Sequence, residues 1–390
     1  MKTSSIESAI VTGAEALKDR STRMTITRVP TDMAQALSPG QRTTNPSRQK
    51  FLEDIKMGQA ETEKLTQILF GAALSRALCT IAELGIADQI NSGSPQSVEL
   101  LARATGTHER SLYRILRFLA SHGIFQEKGK RQFDHTPLSH CLRGDAESSF
   151  RPAAQWFHQI YPLWDGLHHS AITGESGFNK VFGRPLFEYL GTHSDLAPIF
   201  DAAMPAIHGH ETTAMLEAYD LSAIHLLADI GGGNGSLLGA VLQHYPKLKG
   251  ILFELGHVVG RAGNNLKAYG VDDRCSVIEG NFFESVPSGA DTYLFRHIIH
   301  DFTDEQSVRI LNNCRKVIPN NGKLLIVDAV VPTGNEPSLA KDFDMVMLVL
   351  PGGIERTEEE YRLLLKQAGF QLSSITPTTS VISVVEGKPI

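Results

Sequence analysis

Residues His225–Tyr245 read HLLADIGGGNGSLLGAVLQHY, and this stretch decides the fold. It starts with a short apolar run, Leu226–Ile230. It then turns through Gly231, Gly232, Gly233 and Gly235, and continues as Ser236–His244 with apolar residues at helical spacing. Strand, glycine-rich turn and helix together form the opening of a nucleotide-binding βα unit. The glycines let the backbone turn tightly and approach a ligand closely, and the helix N-terminus presents unpaired N–H groups. Working downstream, Lys249–Phe253, Cys275–Glu279, Thr292–Arg296 and Lys323–Asp328 read as further strands, separated by helical segments such as Asp304–Val317. Such alternation predicts a parallel, doubly wound sheet. Pro351-Gly352-Gly353 punctuates the chain, Thr357–Gly369 reads as a capped amphipathic helix, and a final strand is expected near Ser380–Val385.

The loop spacing bears on the ligand. In a dinucleotide fingerprint the third glycine follows the second by three residues, whereas Gly235 follows Gly233 by two. This departure suits a methyl donor without a pyrophosphate, S-adenosyl-L-methionine (SAM). Glu254 ends the second strand, where a carboxylate accepts hydrogen bonds from ribose hydroxyls; that role fits NAD and SAM alike. Gly280-Asn281-Phe282-Phe283 ends the third strand with a polar side chain for adenine and an aromatic to stack on it. The fourth strand runs out through Phe295-Arg296-His297-Ile298-Ile299-His300-Asp301-Phe302. Ligands bind at the carboxyl ends of parallel strands, and a histidine there can take a hydroxyl proton near neutral pH. A carboxylate beside His300 would hold its tautomer and stabilise the imidazolium. Asp328 and Glu355 are the candidates, although each also reads as a cap or a surface charge.

Upstream, Lys64–Ile90 has helical periodicity with a break near Gly85. Val98–Ala104, a turn at Thr105-Gly106-Thr107, and Arg110–His122 follow, with Thr107 expected as the N-cap. Ile124–Phe133 reads as a hairpin turning at Lys128-Gly129-Lys130. Helix, turn, helix and hairpin make a winged-helix pattern. Arg103, Arg110, Arg114, Arg117, Lys128, Lys130 and Arg131 give it local positive charge, which raises a DNA-binding reading. Dimerisation or substrate gating is the favoured reading, because of the domain that follows. Residues 151–222 are helical and aromatic-rich, so most of their rings should be core. Pocket residues are expected from Trp156–Trp164, Met204–His210, His297 and Met345–Leu350, whose aromatic and methionine content suits a flat or apolar acceptor. At the N-terminus, Gln35–Arg48 reads as a linker and Ile6–Leu17 as either a short amphipathic helix or part of a disordered tail.

The 390 residues and 42% hydrophobic content exclude wholesale disorder, and length alone suggests two domains with a tail. A net charge of −6 argues against a nucleic-acid surface spread over the chain. Cys79, Cys141, Cys275 and Cys314 form no C-x-x-C pair, so free thiols in the cytoplasm are expected. No apolar run reaches the roughly 18 residues of a membrane span, so no membrane partner is expected. His168, His169, His208 and His210, with Asp165 and Glu211 nearby, match no metal-ligand spacing, so no metal is expected.

Taken in order, LADIGGGNG, FELGHVV, EGNFFESVP, FRHIIHDFTDEQ, LLIVDAVVP and LPGGIERTEEEYRLLLKQAGF resemble the class I SAM-dependent O-methyltransferases of the plant caffeic acid and hydroxyindole type, including their microbial natural-product branch. The resemblance covers roughly Lys64 to Ile390. It implies an α/β fold: a Rossmann-like SAM-binding parallel-sheet domain (222–390) preceded by an all-α winged-helix dimerisation and substrate-capping domain (59–221). Residues 1–58 are left as an arm, flexible or swapped between subunits. The resemblance implies a homodimer, with His300 as general base flanked by Asp328 and Glu355. The family usually has glutamate at the first flanking position, so Asp328 is a shortened version. Cofactor contacts fall to Asp229, Gly231, Gly233, Glu254, Asn281, Phe282 and Arg296. Met204 matches a methionine that lines the family's substrate pocket, alongside the pocket candidates Trp156, Trp164, His208, His297 and Met347. The expected reaction is methyl transfer to a hydroxyl of a small aromatic or polyketide-like natural product. The alternative is the same scaffold with altered chemistry: a pericyclase, a hydroxylase or decarboxylase, or an N- or C-methyltransferase.

Overall fold

The computed structural model describes residues 46–390, with the side chains of residues 46–57, 257 and 261 outside the description. The expected helix at Ile6–Leu17 and most of the expected linker Gln35–Arg48 lie outside the described residues. The chain divides into a unit ending at Leu69 and a larger one, Phe70–Ile390. Helix α1 (Pro46–Glu83) runs through that boundary. The described part of the helix begins at Pro46, so residues 46–48 of the expected linker are helical. Its later part exposes Leu65, Ile68, Leu69 and Phe70. The segment Gly58–Glu83, with a mean hydropathy of 1.4 in its best window, is apolar and long enough by composition to cross a membrane. This corrects the expectation that no such stretch exists. The window mixes Gly, Ala, Thr and Leu, so its apolar character is spread rather than a solid run.

In the larger unit, α1 stops before Gly85, whose φ of 64° ends the helix in the left-handed region that glycine adopts without strain. Helices α2 (Val98–Thr105) and α3 (Glu109–Ser121) follow. The expected N-cap at Thr107 is not used. His108 occupies the cap position of α3, and the Thr107 hydroxyl bonds Thr105 instead, 3.1 Å away. A three-stranded antiparallel sheet completes the winged helix: β1 (Gln96–Ser97), β2 (Phe125–Glu127) and β3 (Gln132–His135), in the order β1-β3-β2. Ile81, Leu101, Leu116, Phe125 and Phe133 are among its fully buried core residues. Arg131 is tied down by Glu109 at 2.7 Å and lies over the Tyr113 ring.

The catalytic sheet has seven strands in the order β6-β5-β4-β7-β8-β10-β9. Strands β4 (Leu226–Ile230), β5 (Lys249–Glu254), β6 (Cys275–Glu279), β7 (Thr292–Arg296) and β8 (Lys323–Ala329) run parallel. The central strands β4, β7 and β8 are buried on both faces, which is why they read as unbroken apolar runs. The C-terminus adds two antiparallel strands where one was expected, β9 (Phe370–Pro377) and β10 (Ile382–Pro389). The sheet order reverses between β4 and β7, and a crevice opens beyond the carboxyl ends of strands at such a reversal. Helices α4 (Arg151–Ile160), α5 (Ala197–His208) and α6 (Glu211–Ala218) pack in the same unit. Together with α7 (Leu339–Val349), α4 and α5 contribute to a second apolar cluster around Trp156, Leu163, Phe178 and Val349, while Met215 of α6 packs in the core of the large sheet.

Candidate active site

The glycine-rich turn leaves β4 at Ile230. Gly231 and Gly233 have φ of 72° and 57°. A Cβ on Gly231 would stand 2.5 Å from the Ile298 side chain and 3.5 Å from Phe282. The turn therefore touches both the loop after β7 and the loop after β6, and only glycine permits that approach. Asn234 Oδ1 accepts from the Ser236 N–H and hydroxyl, opening the helix Ser236–His244.

Asp229 lies under this turn, and its Oδ2 is buried with no partner among the described residues. Burial pushes its carboxyl up to about 7. An orphaned buried carboxylate oxygen is costly, so a ligand with a donor fits here. Glu254 Oε2 accepts from the Gly233 N–H at 3.0 Å and Oε1 from the Leu255 N–H at 2.7 Å. Each oxygen keeps a lone pair for a hydroxyl. Arg296 donates to the Thr212 hydroxyl at 2.7 Å. Asn281 is committed locally: its Oδ1 accepts from the Phe283 N–H at 3.0 Å, closing a turn. Phe282 packs against Phe302 and Phe283. The donor set, the glycine cradle and the orphaned oxygen fit an adenosine-bearing cofactor.

The three expected catalytic side chains come together. His300 sits in a short 3₁₀ turn, Ile299–Asp301, and its Nδ1–H donates to Glu355 Oε1 at 2.7 Å. Its Nε2 stays available, with Asp301 Oδ1 3.6 Å away. Burial alone would lower the His300 pKa, but the charges of Asp328 and Glu355 and the Glu355 hydrogen bond outweigh it and raise it to about 10. Asp328 is fully buried and does not bond His300 directly. It accepts from the His297 backbone N–H at 2.8 Å and from the Tyr361 hydroxyl at 3.4 Å, and burial raises its carboxyl to about 7. The shortened carboxylate thus supports the loop that carries His300 and acts on the imidazole through its charge, without a hydrogen bond to it.

Glu355 is held by the backbone around it. The Ile354 N–H donates to the His300 carbonyl at 2.8 Å, and the Glu355 N–H to Asp344 Oδ1 at 3.0 Å. Fully buried Arg356 donates to the Ile299 and Phe302 carbonyls at 3.1 and 3.0 Å and to Asp304 at 2.9 Å. One guanidinium thereby clamps the Pro-Gly-Gly loop onto the histidine loop. Gly353 is required at this contact, because a Cβ there would collide with the His300 carbonyl.

Of the pocket candidates, His208 and His297 reach the centre: their rings are 4.2 Å apart, and His297 stands 5.0 Å from His300. Trp164 and Met204 edge the helical cluster, while Trp156 is buried edge-on against Phe200 and belongs to the core. Met347 is half-buried on α7, and its carbonyl accepts from the Gly352 and Gly353 N–H groups. Glu211 is the residue the sequence reading passed over. It is buried between two imidazoles, accepting from His297 Nε2–H at 2.6 Å and from His208 Nδ1–H at 3.1 Å. Burial would raise its carboxyl, yet those two bonds hold it at about 2. His208 and Glu211 lie three residues apart, and that spacing was the signal available. Two triads, His208–Glu211–His297 and His297–His300–Asp328, each gather their donor atoms within 4.8 Å, a closeness that spacing along the chain did not reveal.

The O-methyltransferase domain model matches residues 164–371, and the O-methyltransferase dimerisation domain model matches residues 66–145. The chain belongs to the O-methyltransferase family. It is 40% identical over 327 residues to a phenazine O-methyltransferase of Lysobacter antibioticus, covering 84% of this chain and 96% of the relative. It is 36% identical to a 3-amino-4-hydroxybenzoate 4-O-methyltransferase of Streptomyces cremeus, over 80% of this chain and 86% of that one. Among solved structures it is similar, with a TM-score of 0.71 and 30% identity, to an O-methyltransferase from neocarzinostatin biosynthesis in complex with SAM and 2-hydroxy-5-methyl naphthoic acid. That likeness covers 81% of this chain and 96% of the other.

Proposed function

We propose that this O-methyltransferase moves the methyl group of SAM to a hydroxyl of a flat aromatic acceptor, with His300 holding the acceptor's proton. The observation that carries the reading is the buried His300–Glu355 pair on a loop that touches the glycine-rich turn through Ile298. When bound, SAM supplies the electrophilic methyl group. Asp229, the Gly231–Gly233 backbone, Glu254 and Arg296 are the residues to hold it, with Phe282 as the aromatic wall. What the protein adds is mostly proximity and orientation. The acceptor's oxygen sits at His300 Nε2, the nitrogen left after Nδ1–H is given to Glu355. In the complex the proton between that oxygen and Nε2 resides on His300, whose imidazolium faces three carboxyl groups: Glu355, Asp328 and Asp301. The nearby carboxylates favour that charged form, so the acceptor is held as its oxyanion, the nucleophilic form. Asp328 and Arg356 keep the two loops in register.

The occupant read for the pocket is a hydroxylated fused or single aromatic ring, since aromatic acceptors are named for the relatives and for the ligand-bound neighbour. We also assign the exposed apolar face of α1 to pairing with a second copy, because the matched dimerisation domain begins at residue 66.

The test incubates the full chain with methyl-labelled SAM and a panel of hydroxyphenazines, naphthols and aminophenols. The expected result is S-adenosylhomocysteine with an equal amount of methyl ether. Label on nitrogen or carbon, or no transfer across the panel, would overturn the reading.

A further inference from the structure

Glu211 raises a question that the methyl-transfer reading leaves open. A carboxylate carries no proton to give, so both of its imidazole contacts are N–H donations, from His208 Nδ1 and His297 Nε2. Burial keeps His297 neutral by lowering its pKa to about 3. A neutral imidazole with its proton on Nε2 has a bare lone pair on Nδ1. That Nδ1 is buried and has no partner among the described residues. A buried acceptor without a donor is costly.

His297 carries a second cost. Its φ is 54°, a left-handed conformation that non-glycine residues rarely adopt, and it is held there by N–H donation to Asp328. Strain and an orphaned polar atom at one residue of a site point to a ligand. A ring nitrogen of His297 lies within 4.8 Å of one of His300.

We propose that His297 Nδ1 is a specificity-determining hydrogen-bond acceptor, selecting aromatic acceptors with a second donor, hydroxyl or amino, on the ring carbon next to the methylated hydroxyl. Glu211 is the positioning residue that fixes the tautomer. This inference rests on the methyl-transfer reading. One hydroxyl faces His300 Nε2, and its ortho neighbour donates to His297 Nδ1. A monohydroxylated ring leaves that nitrogen unpaired in the complex and forfeits the bond.

The probes are 2,3-dihydroxynaphthalene and 2-naphthol, compared by kcat/KM with the full chain. Wild type is expected to favour the diol by about tenfold or more, the worth of one buried hydrogen bond. His297→Ala should bring the ratio near one. His297→Asn, which tolerates the left-handed backbone and places an oxygen near the lost nitrogen, should keep much of the preference. Glu211→Gln should lower the ratio, because an amide also presents a donor to one of the imidazoles. A wild-type ratio near one, or a preference that survives His297→Ala, overturns the proposal. A second arm needs no acceptor and no variant: nitrogen-15 NMR of the histidine-labelled wild type should show His297 protonated on Nε2 and bare on Nδ1. The reverse tautomer overturns the proposal. So does stoichiometric zinc binding that Glu211→Gln abolishes, since the imidazole nitrogens would then be metal ligands. Absence of transfer to both probes would count against the methyl-transfer reading, while the tautomer still decides this one.

Discussion

Glu355→Gln isolates the contact on which the chemistry turns. The substitution keeps size and shape but removes the charge that His300 Nδ1–H meets at 2.7 Å. Hydrogen bonds to charged groups are worth about 1.5–3 kcal/mol, and each 1.36 kcal/mol is tenfold in rate. If the Glu355 charge holds the imidazolium against the acceptor's oxyanion, kcat/KM should fall by about 10- to 150-fold. Two features of the site keep the loss from being partial. Glu355 is fully buried, so water does not make up for the lost charge, and Asp328 is committed to the His297 N–H and the Tyr361 hydroxyl. With one of its two main raising charges gone, His300 should also titrate lower than about 10, because burial, the largest influence on it, acts downward. The assay is S-adenosylhomocysteine release across pH 6–10, about the range His300 spans between its ordinary and its raised value. S-adenosylhomocysteine affinity measured by calorimetry serves as the check on folding. A loss under twofold, with the His300 limb of the profile unmoved, would refute the argument that Glu355 stabilises the imidazolium.

Other consequences can be measured independently. Gly232→Ala would press a Cβ onto Leu252 and to 2.6 Å from Asp229 Oδ2; calorimetry should show S-adenosylhomocysteine binding weakened at least about tenfold, with overpacking costing ~1–3 kcal/mol of stability. The folded pKa of His297 is depressed below its unfolded value, so its contribution is complete above about pH 6.5 and is lost as pH falls toward about 3. Asp301 and Asp328 are raised by burial and act in the opposite sense. The difference between wild type and His297→Asn in calorimetric Tm should therefore narrow across pH 6.5 to 3, and a constant difference would contradict the buried neutral imidazole. Phe70→Glu, on the exposed face of α1, should shift the protein toward monomer in sedimentation velocity. Trp156→Ala should lower stability by ~3–5 kcal/mol through a core cavity, read from urea unfolding.

The catalytic sheet was legible because its central strands are buried on both faces and so read as apolar runs between turns. The cap of Thr357 with Glu360 was legible for a local reason, a hydroxyl and a carboxyl three residues apart that satisfy the first helical N–H groups. Strand β9 was missed because Phe370–Pro377 (FQLSSITP) forms an exposed edge, with no apolar run for burial to impose. The cap of α3 was misplaced by one residue because Thr107 prefers the hydroxyl of Thr105. The clustering of His300, Asp328 and Glu355 was legible because each lies at or just past a strand's carboxyl end or follows a punctuating loop. Glu211 was not, since it meets His297 across 86 residues of chain, and only tertiary packing makes that contact.

The central claim is that His300 holds the acceptor's proton during methyl transfer. The most direct measurement is single-turnover transfer from bound SAM to an acceptor the wild type uses, comparing wild type with His300→Ala. General acid–base groups contribute about 10²–10⁴-fold, so the variant should lose at least about a hundredfold in the transfer step while binding S-adenosylhomocysteine as tightly as wild type. Transfer within a few-fold of wild type at neutral pH would contradict the account.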